Sequence, residues 1–323
     1  MNRSKKWQAR RGTVAIVASG LLLAGCSTGN ETDTEASGDT AASGECSIGM
    51  TQINQTAVFF TQMNEGAQEA AEAAGCELQI ANANNDSAKQ NSDIENFVSQ
   101  GVTAIIVVAI DVNGVLPAVE AAREQGVKVV AIDAKLEDGA VETFVGVDND
   151  QAGAEAANWV IDEGLAEGSS YGVVDAKNSF IQNQREDSFR EVIDAAGATH
   201  TQSVNGDNVQ EKAATAAQNL VTAEPNLDFV YTTGEPATVG AAAALEGNED
   251  TVIIGWDLTK EVIAGIDSGL VRAVVQQDPK QEGIEAVNEL KSILDGGEPK
   301  GFIDVPITIV TKENVDKYRP IFP

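Results

Sequence analysis

The sequence predicts an α/β protein of two doubly wound parallel-sheet lobes joined by a three-segment hinge. Short β-branched apolar runs alternate with stretches of helical length along most of the 323 residues, the pattern of βα units that feed parallel sheets covered by helices on both faces. Gly75, Gly101 and Gly126 fall just past three of the helical stretches, where a left-handed residue commonly ends a helix. Two apolar runs, 128–133 and 251–257, arrive at an aspartate. Parallel sheets take their ligands at the carboxyl ends of their strands, so Asp133 and Asp257 are expected to face each other across a cleft.

Residues 1–11 are basic, and 12–25 are almost wholly apolar and small, ending in Leu23-Ala24-Gly25-Cys26. The apolar run is shorter than the roughly 20 residues a membrane span needs, and its flanks are those of a cleaved secretory signal. Its last four residues match a lipobox, which would make Cys26 the lipidated N-terminus of a bacterial lipoprotein. A plain signal with an incidental cysteine is the alternative. Residues 27–45 carry no large apolar side chain, cannot repay the entropy of ordering, and read as a flexible tether between the membrane and a folded body.

In the first lobe the expected strands are 48–53, 78–81, 104–109, 127–132 and 143–147, with helices at 60–74, 87–100 and 115–125. The alternation restarts with a helix at 151–163. Strands at 171–174, 201–204, 228–231, 252–254 and 272–275 then interleave with helices at 180–196, 209–223, 237–245 and 260–268. A last helix, 280–294, and the segment 304–310 return to the first lobe, with crossings near Asp148, Gln277 and Pro306. The expected partition is a signal at 1–25, a lipidated linker at 26–45, an N-terminal lobe of 46–147 plus 278–305, and a C-terminal lobe of 148–277 plus 306–323.

Cys46 and Cys76 each precede a predicted strand. If those strands are parallel neighbours, their starts lie side by side and a disulfide can form in an oxidising compartment; two small buried thiols are the other reading. Closing a loop of about 31 residues would stabilise the body by roughly 3 to 4 kcal/mol.

The net charge of −29 grows more negative once the first 25 residues, with five bases and no acid, are removed. Such a surface repels phosphate backbones and anionic headgroups, which argues against nucleic acid as a partner. His200 is the only histidine and has no nucleophile motif near it, so neither a catalytic triad nor a histidine metal site is expected. The chain has no P-loop and no C-x-x-C. Asp148-Asn149-Asp150 lacks the distal glutamate of a calcium loop and reads as a helix N-cap. No enzyme activity, cofactor or metal is expected.

The residues at the predicted strand ends are rich in amides and carboxylates: Asn54, Gln55, Asp133, Asn183, Glu235, Asp257 and Gln277, with Lys135 and Arg185 nearby. Phe59 and Phe60 open the first helix, and Trp256 precedes Asp257. Planar carboxylates and amides pair with vicinal hydroxyls while aromatic faces stack on the C–H face of a ring, which suits a neutral polyhydroxylated ligand. Asp and Asn after strands also serve as helix caps, the competing use.

Phe59-Phe60 followed by Glu65-Gly66-Ala67, then Val130-Ala131-Ile132-Asp133, Gly255-Trp256-Asp257 and Gln277-Asp278-Pro279, taken in this order and spacing, resemble the ribose-binding-like, type I periplasmic binding proteins of ABC importers. The resemblance spans 47–310. It implies two hinged lobes closing on a sugar, Phe59 and Phe60 as stacking walls, and Asp133, Asp257 and Gln277 as hydroxyl partners. It also implies an ABC permease as partner of a monomeric extracytoplasmic protein, which the lipobox would anchor to the cell membrane. Ribose itself is not the expected ligand. Ala134 and Lys135 stand where ribose binders follow the first aspartate with arginine, Asn183 stands at their second arginine, and Asn208 and Gly234 at their binding aromatic and asparagine. Another pentose or hexose, or a sugar alcohol or cyclitol, fits these departures. A DNA-binding regulator of the same body is disfavoured by the lipobox and the acidity. A sugar- or autoinducer-sensing receptor feeding signalling remains as the alternative to uptake.

Overall fold

The computed structural model describes residues 46–55, 57–248 and 250–322. The signal and lipidation readings, including Cys26, lie outside these residues. The first lobe holds β1 (Ser47–Gln52), α1 (Val58–Ala74), β2 (Glu77–Asn82), α2 (Ser87–Gln100), β3 (Ala104–Val107), α3 (Leu116–Glu124), β4 (Lys128–Ile132) and β5 (Thr143–Gly146). The second holds α4 (Asn149–Asp162), β6 (Ser170–Asp175), α5 (Phe180–Ala195), β7 (Thr199–Asn205), α6 (Gln210–Ala223), β8 (Phe229–Thr232), α7 (Glu235–Ala244), β9 (Val252–Trp256), α8 (Lys260–Ser268) and β10 (Val271–Gln276). The chain then returns with α9 (Pro279–Leu294) and β11 (Gly301–Asp304) to the first lobe and ends with β12 (Thr308–Val310) in the second.

Both lobes have one topology. The first sheet runs β11-β5-β4-β3-β1-β2 and the second β12-β10-β9-β8-β6-β7. Every pair is parallel except β12 against β10, which is antiparallel. Three segments cross between the lobes: β5 to α4, β10 to α9, and β11 to β12. The segment read as a single piece at 304–310 is thus divided at the third crossing, because Pro306 cannot donate a ladder hydrogen bond and breaks the strand.

Helices cover both faces of each sheet. In the first lobe Ala67, Ala71, Val287 and Leu290 of α1 and α9 pack on one face, and Ile94, Phe97, Val119 and Ala122 of α2 and α3 on the other. Local chemistry sets the helix starts. Asp86, Asp148, Thr259 and Asp278 each accept a main-chain N–H of the first turn that follows, satisfying donors that a helix leaves open. Asp148 is therefore a cap, and α4 begins at Asn149 rather than 151. The helices α1 and α9 cross at glycines on both sides. A Cβ on Gly66 would sit 1.9 Å from Lys280 O, and one on Gly283 2.2 Å from Met63 O.

Cys46 and Cys76, at the starts of the paired strands β1 and β2, are joined with S–S 2.04 Å. His200 lies inside β7, its Nε2 3.0 Å from Ser203 Oγ, and belongs to the packing of the second lobe.

Candidate functional site

Asp133 and Asp257 follow β4 and β9 in the left-handed conformation, at φ +64° and +60°. Aspartate tolerates this region better than most residues. The main-chain N–H of Asp133 donates to Val145 O at 3.0 Å, and that of Asp257 to Val275 O at 2.9 Å. Each aspartate is thereby tied to the next strand while its side chain leaves the sheet edge. Both line one cavity of about 540 Å3, together with Phe59, Phe60, Arg185 and Gln277.

A chain of hydrogen bonds sets the charges on the second-lobe side. Gln277 Nε2 donates to Asp257 Oδ1 at 2.9 Å, and Gln277 Oε1 accepts from Arg185 Nη2 at 3.4 Å. Arg185, from α5, is buried. Its Nε donates to Asn149 Oδ1 at 2.7 Å and its Nη1 to Thr233 O at 3.2 Å. The guanidinium lies 3.7 Å over the Trp256 ring, a stacked geometry that favours arginine over lysine. Trp256 Nε1 in turn donates to Tyr231 Oη at 2.8 Å.

Burial pushes Asp133 up to about 6; Arg185 pulls it down and Asp257 adds to the rise. Asp257 is also raised by burial, with Arg185 and then Gln277 opposing. Behind them Glu282 on α9 is fully buried, and among the described residues neither carboxyl oxygen has a hydrogen-bond partner. Burial, reinforced by Asp133, Asp257 and Asp278, raises it well above the ordinary glutamate range. The Arg185 guanidinium therefore faces three carboxyl groups, and a ligand that brings hydroxyl donors suits the oxygens of Asp133 and Asp257 better than one that brings an anion.

Of the residues singled out in the sequence, Phe59, Phe60, Asp133, Arg185, Glu235, Asp257 and Gln277 come together in this cavity. Phe59 and Phe60 meet edge to face, centroids 5.3 Å apart. The other five do not join them. Trp256 is not a wall but core, fully buried beneath Arg185, because strand alternation puts it on the same sheet face as Ile254. Lys135 lies past the left-handed turn, pairs with Asp138 at 3.0 Å and lines a different cavity. Asn183 is one helical step off the inward stripe of α5 formed by Gln182, Arg185, Glu186, Phe189 and Ile193, and its Nδ2 donates to Lys177 O. Asn54 organises its own loop, accepting from Ala57 N and donating to Asn85 Oδ1. Gln55 is exposed away from the cavity lining.

Gln182 is a lining residue that the sequence reading does not include, and Asn208, expected only as the residue at the family's binding aromatic, lines the cavity with it. Gln182 Nε2 donates to Asn208 Oδ1 at 2.8 Å, and Thr233 Oγ1 donates to Gln182 Oε1 at 2.8 Å, so Gln182 and Asn208 form one polar wall. Gly234 makes room for it, since a Cβ there would lie 2.9 Å from the Gln182 amide. Helical spacing backwards from Phe189 was the available signal for Gln182. The run Gly168-Ser169-Ser170-Tyr171-Gly172 also has the spacing of a nucleophile elbow. Ser170 instead opens β6, and its hydroxyl donates to Asn226 O at 2.9 Å, so it lacks the strand-to-helix turn that such a nucleophile needs.

Two sheets of one topology, hinged by three segments and meeting at their carboxyl ends around opposed aspartates, define a two-lobe solute-binding protein. The chain belongs to the periplasmic binding protein domain family, whose profile matches residues 48–298. It is 30% identical over 271 residues to the ribose import binding protein RbsB of Bacillus subtilis, covering 83% of this chain and 88% of that protein. It is 26% identical over 306 residues to the xylitol-binding protein of Mycolicibacterium smegmatis, covering 94% and 85%. Its fold matches a solved periplasmic ribose ABC transporter protein from Conexibacter woesei with a TM-score of 0.80 at 23% identity, over 86% of this chain and 95% of that one. The family consists of solute-binding proteins of the extracytoplasmic space.

Proposed function

We propose that this protein captures a neutral monosaccharide or polyol between its lobes and delivers it to the permease of an ABC importer. The observation that carries the reading is the shared cavity of Asp133 and Asp257, one aspartate from each lobe, walled by Phe59 and Phe60. A ligand bound there contacts both lobes at once and draws a hinge equilibrium toward a closed form that a permease can recognise. Asp133, Asp257, Gln277, Gln182 and Asn208 would take the hydroxyls, Phe59 and Phe60 the ring face, and Glu235 the rim. Arg185 would hold Gln277 and balance the carboxylates. The lobes would divide as 46–147 plus 278–305 and 148–277 plus 306–323, with Cys26 lipidated and 27–45 as tether to the membrane. The function is binding rather than turnover, in keeping with a family of solute-binding proteins. Relatives named for ribose import and for xylitol binding support uptake over signalling.

The test is thermal denaturation against monosaccharides, sugar alcohols and cyclitols. A ligand at 100 times its Kd stabilises the folded form by about 2.7 kcal/mol, so a cognate solute raises Tm by several degrees. Silence across the panel overturns the carbohydrate reading.

A further inference from the structure

Beside the aspartate pocket lies a second and larger cavity of about 1070 Å3. The two share a wall. Ile181 lines both, Ala134 of the second follows Asp133 of the first, and Asn149 of the second holds the Arg185 of the first. The outer walls of the larger cavity are aromatic and come from opposite lobes. Phe144 of β5 and Phe302 of β11 are stacked, with centroids 5.5 Å apart and planes 9° from parallel. Across from them Phe180, the first residue of α5, is 74% exposed. Asp111, Asn178 and Gln184 supply polar edges between these faces.

An exposed phenylalanine at the mouth of a ligand cleft, set opposite a second aromatic face and next to amides and a carboxylate, repeats the chemistry of the aspartate pocket. A one-ring ligand does not need it, because about 540 Å3 is already ample for a small molecule.

We propose that the groove between Phe180 and the Phe144–Phe302 stack is a second subsite of the same cleft, taking a further ring joined to the sugar or polyol held by the aspartates. Besides a single monosaccharide or polyol, the cleft then takes a glycoside, a disaccharide or a glycosylated polyol, bound with its first unit between Asp133 and Asp257 and its second between Phe180 and Phe302. This rests on the carbohydrate reading proposed for the aspartate pocket.

The test is titration calorimetry on the full-length protein, as wild type, Phe180→Ala and Phe302→Ala. One-ring probes are D-ribose, D-allose, D-glucose and myo-inositol; two-ring probes are galactinol, maltose and the phenyl β-glycosides of the three sugars. The expected result is a two-ring probe that binds about tenfold tighter than its one-ring component, one such step being about 1.4 kcal/mol. Each alanine variant should remove that gain and leave one-ring affinity within about twofold of wild type. Equal loss for one-ring and two-ring probes would make the phenylalanines a closure contact and overturn the subsite. One-ring binding with no two-ring binding overturns it as well. If no probe of either set binds, the carbohydrate reading falls and takes the subsite with it.

Discussion

Asp133 and Asp257 hold the same place in the two lobes: each follows the third strand of its sheet's shared order, turns left-handed, and returns its N–H to the neighbouring strand, at Val145 and Val275. The two carboxylates meet because the lobes share one strand order and face each other. Asparagine tolerates this backbone region as aspartate does, whereas alanine strains it by about 1 kcal/mol. Asp257→Asn should therefore keep the apo Tm near wild type while removing a charged acceptor. Two lost hydroxyl bonds to a carboxylate, at about 1.5 kcal/mol each, weaken binding by about 100-fold. Calorimetry with the solute found by thermal shift measures this, and unchanged affinity would sink the site assignment.

Arg185 is held by Asn149, Thr233 O and Gln277 and lies on Trp256. A lysine cannot reproduce the planar fork or the stack. Arg185→Lys should lower unfolding free energy by about 2 to 4 kcal/mol, because it leaves buried acceptors and carboxylates poorly compensated. Urea denaturation of the apo protein checks it. A change below about 0.5 kcal/mol, within the range of ordinary surface substitutions, would mean that Arg185 is not a structural strut.

Glu282 gives a pH prediction. Its folded pKa is raised, so the native state holds the proton more tightly than the unfolded chain. The stability it contributes is full below the unfolded value near 4.5 and is lost as pH rises toward the folded value. Asp133 acts in the same sense between 3.8 and about 6. The charged and titratable groups acting on Glu282 are Asp133, Asp257, Asp278 and Arg185. Glu282→Gln keeps the shape without an ionisable proton. At pH 8 it should raise the apo Tm by at least about 2 °C, near 1 kcal/mol for a chain of this size, and by pH 4 the two proteins should converge. Calorimetric melts at both pH values decide the matter, and an equal offset at each would remove the titration from the explanation.

At the crossing of α1 and α9, the atoms that an added Cβ would meet at Gly66 and Gly283 are backbone, so no side-chain rotation can relieve it. Gly66→Ala and Gly283→Ala should each destabilise by about 2 to 3 kcal/mol. Gly75→Ala is the control. That glycine has φ +68° with open space around it, and the change should cost about 1 kcal/mol through backbone conformation alone. Chemical denaturation of the three variants gives the comparison.

By itself the sequence determined what depends on neighbours along the chain. The βα rhythm, the glycine helix ends, the Asp148 cap, and aspartates at the tips of 128–133 and 251–257 are local patterns, written in periods of two and of 3.6 residues. Phe59 and Phe60 were legible for the same reason, as the opening turn of a helix after a first strand. Only the tertiary structure decided which side chains reach the cleft. Trp256 precedes Asp257 by one residue, yet pleat alternation and the guanidinium laid over its ring make it core. Asn183 and Gln182 are adjacent, and only the docking of α5 on its sheet turns Gln182 inward. Glu282 looks like a surface glutamate in a polar helix until α9 crosses back to the first lobe and buries it behind two aspartates from different lobes. Such facts depend on residues far apart in the chain being brought to one place, and on burial that then changes what each charge costs, neither of which a local pattern encodes.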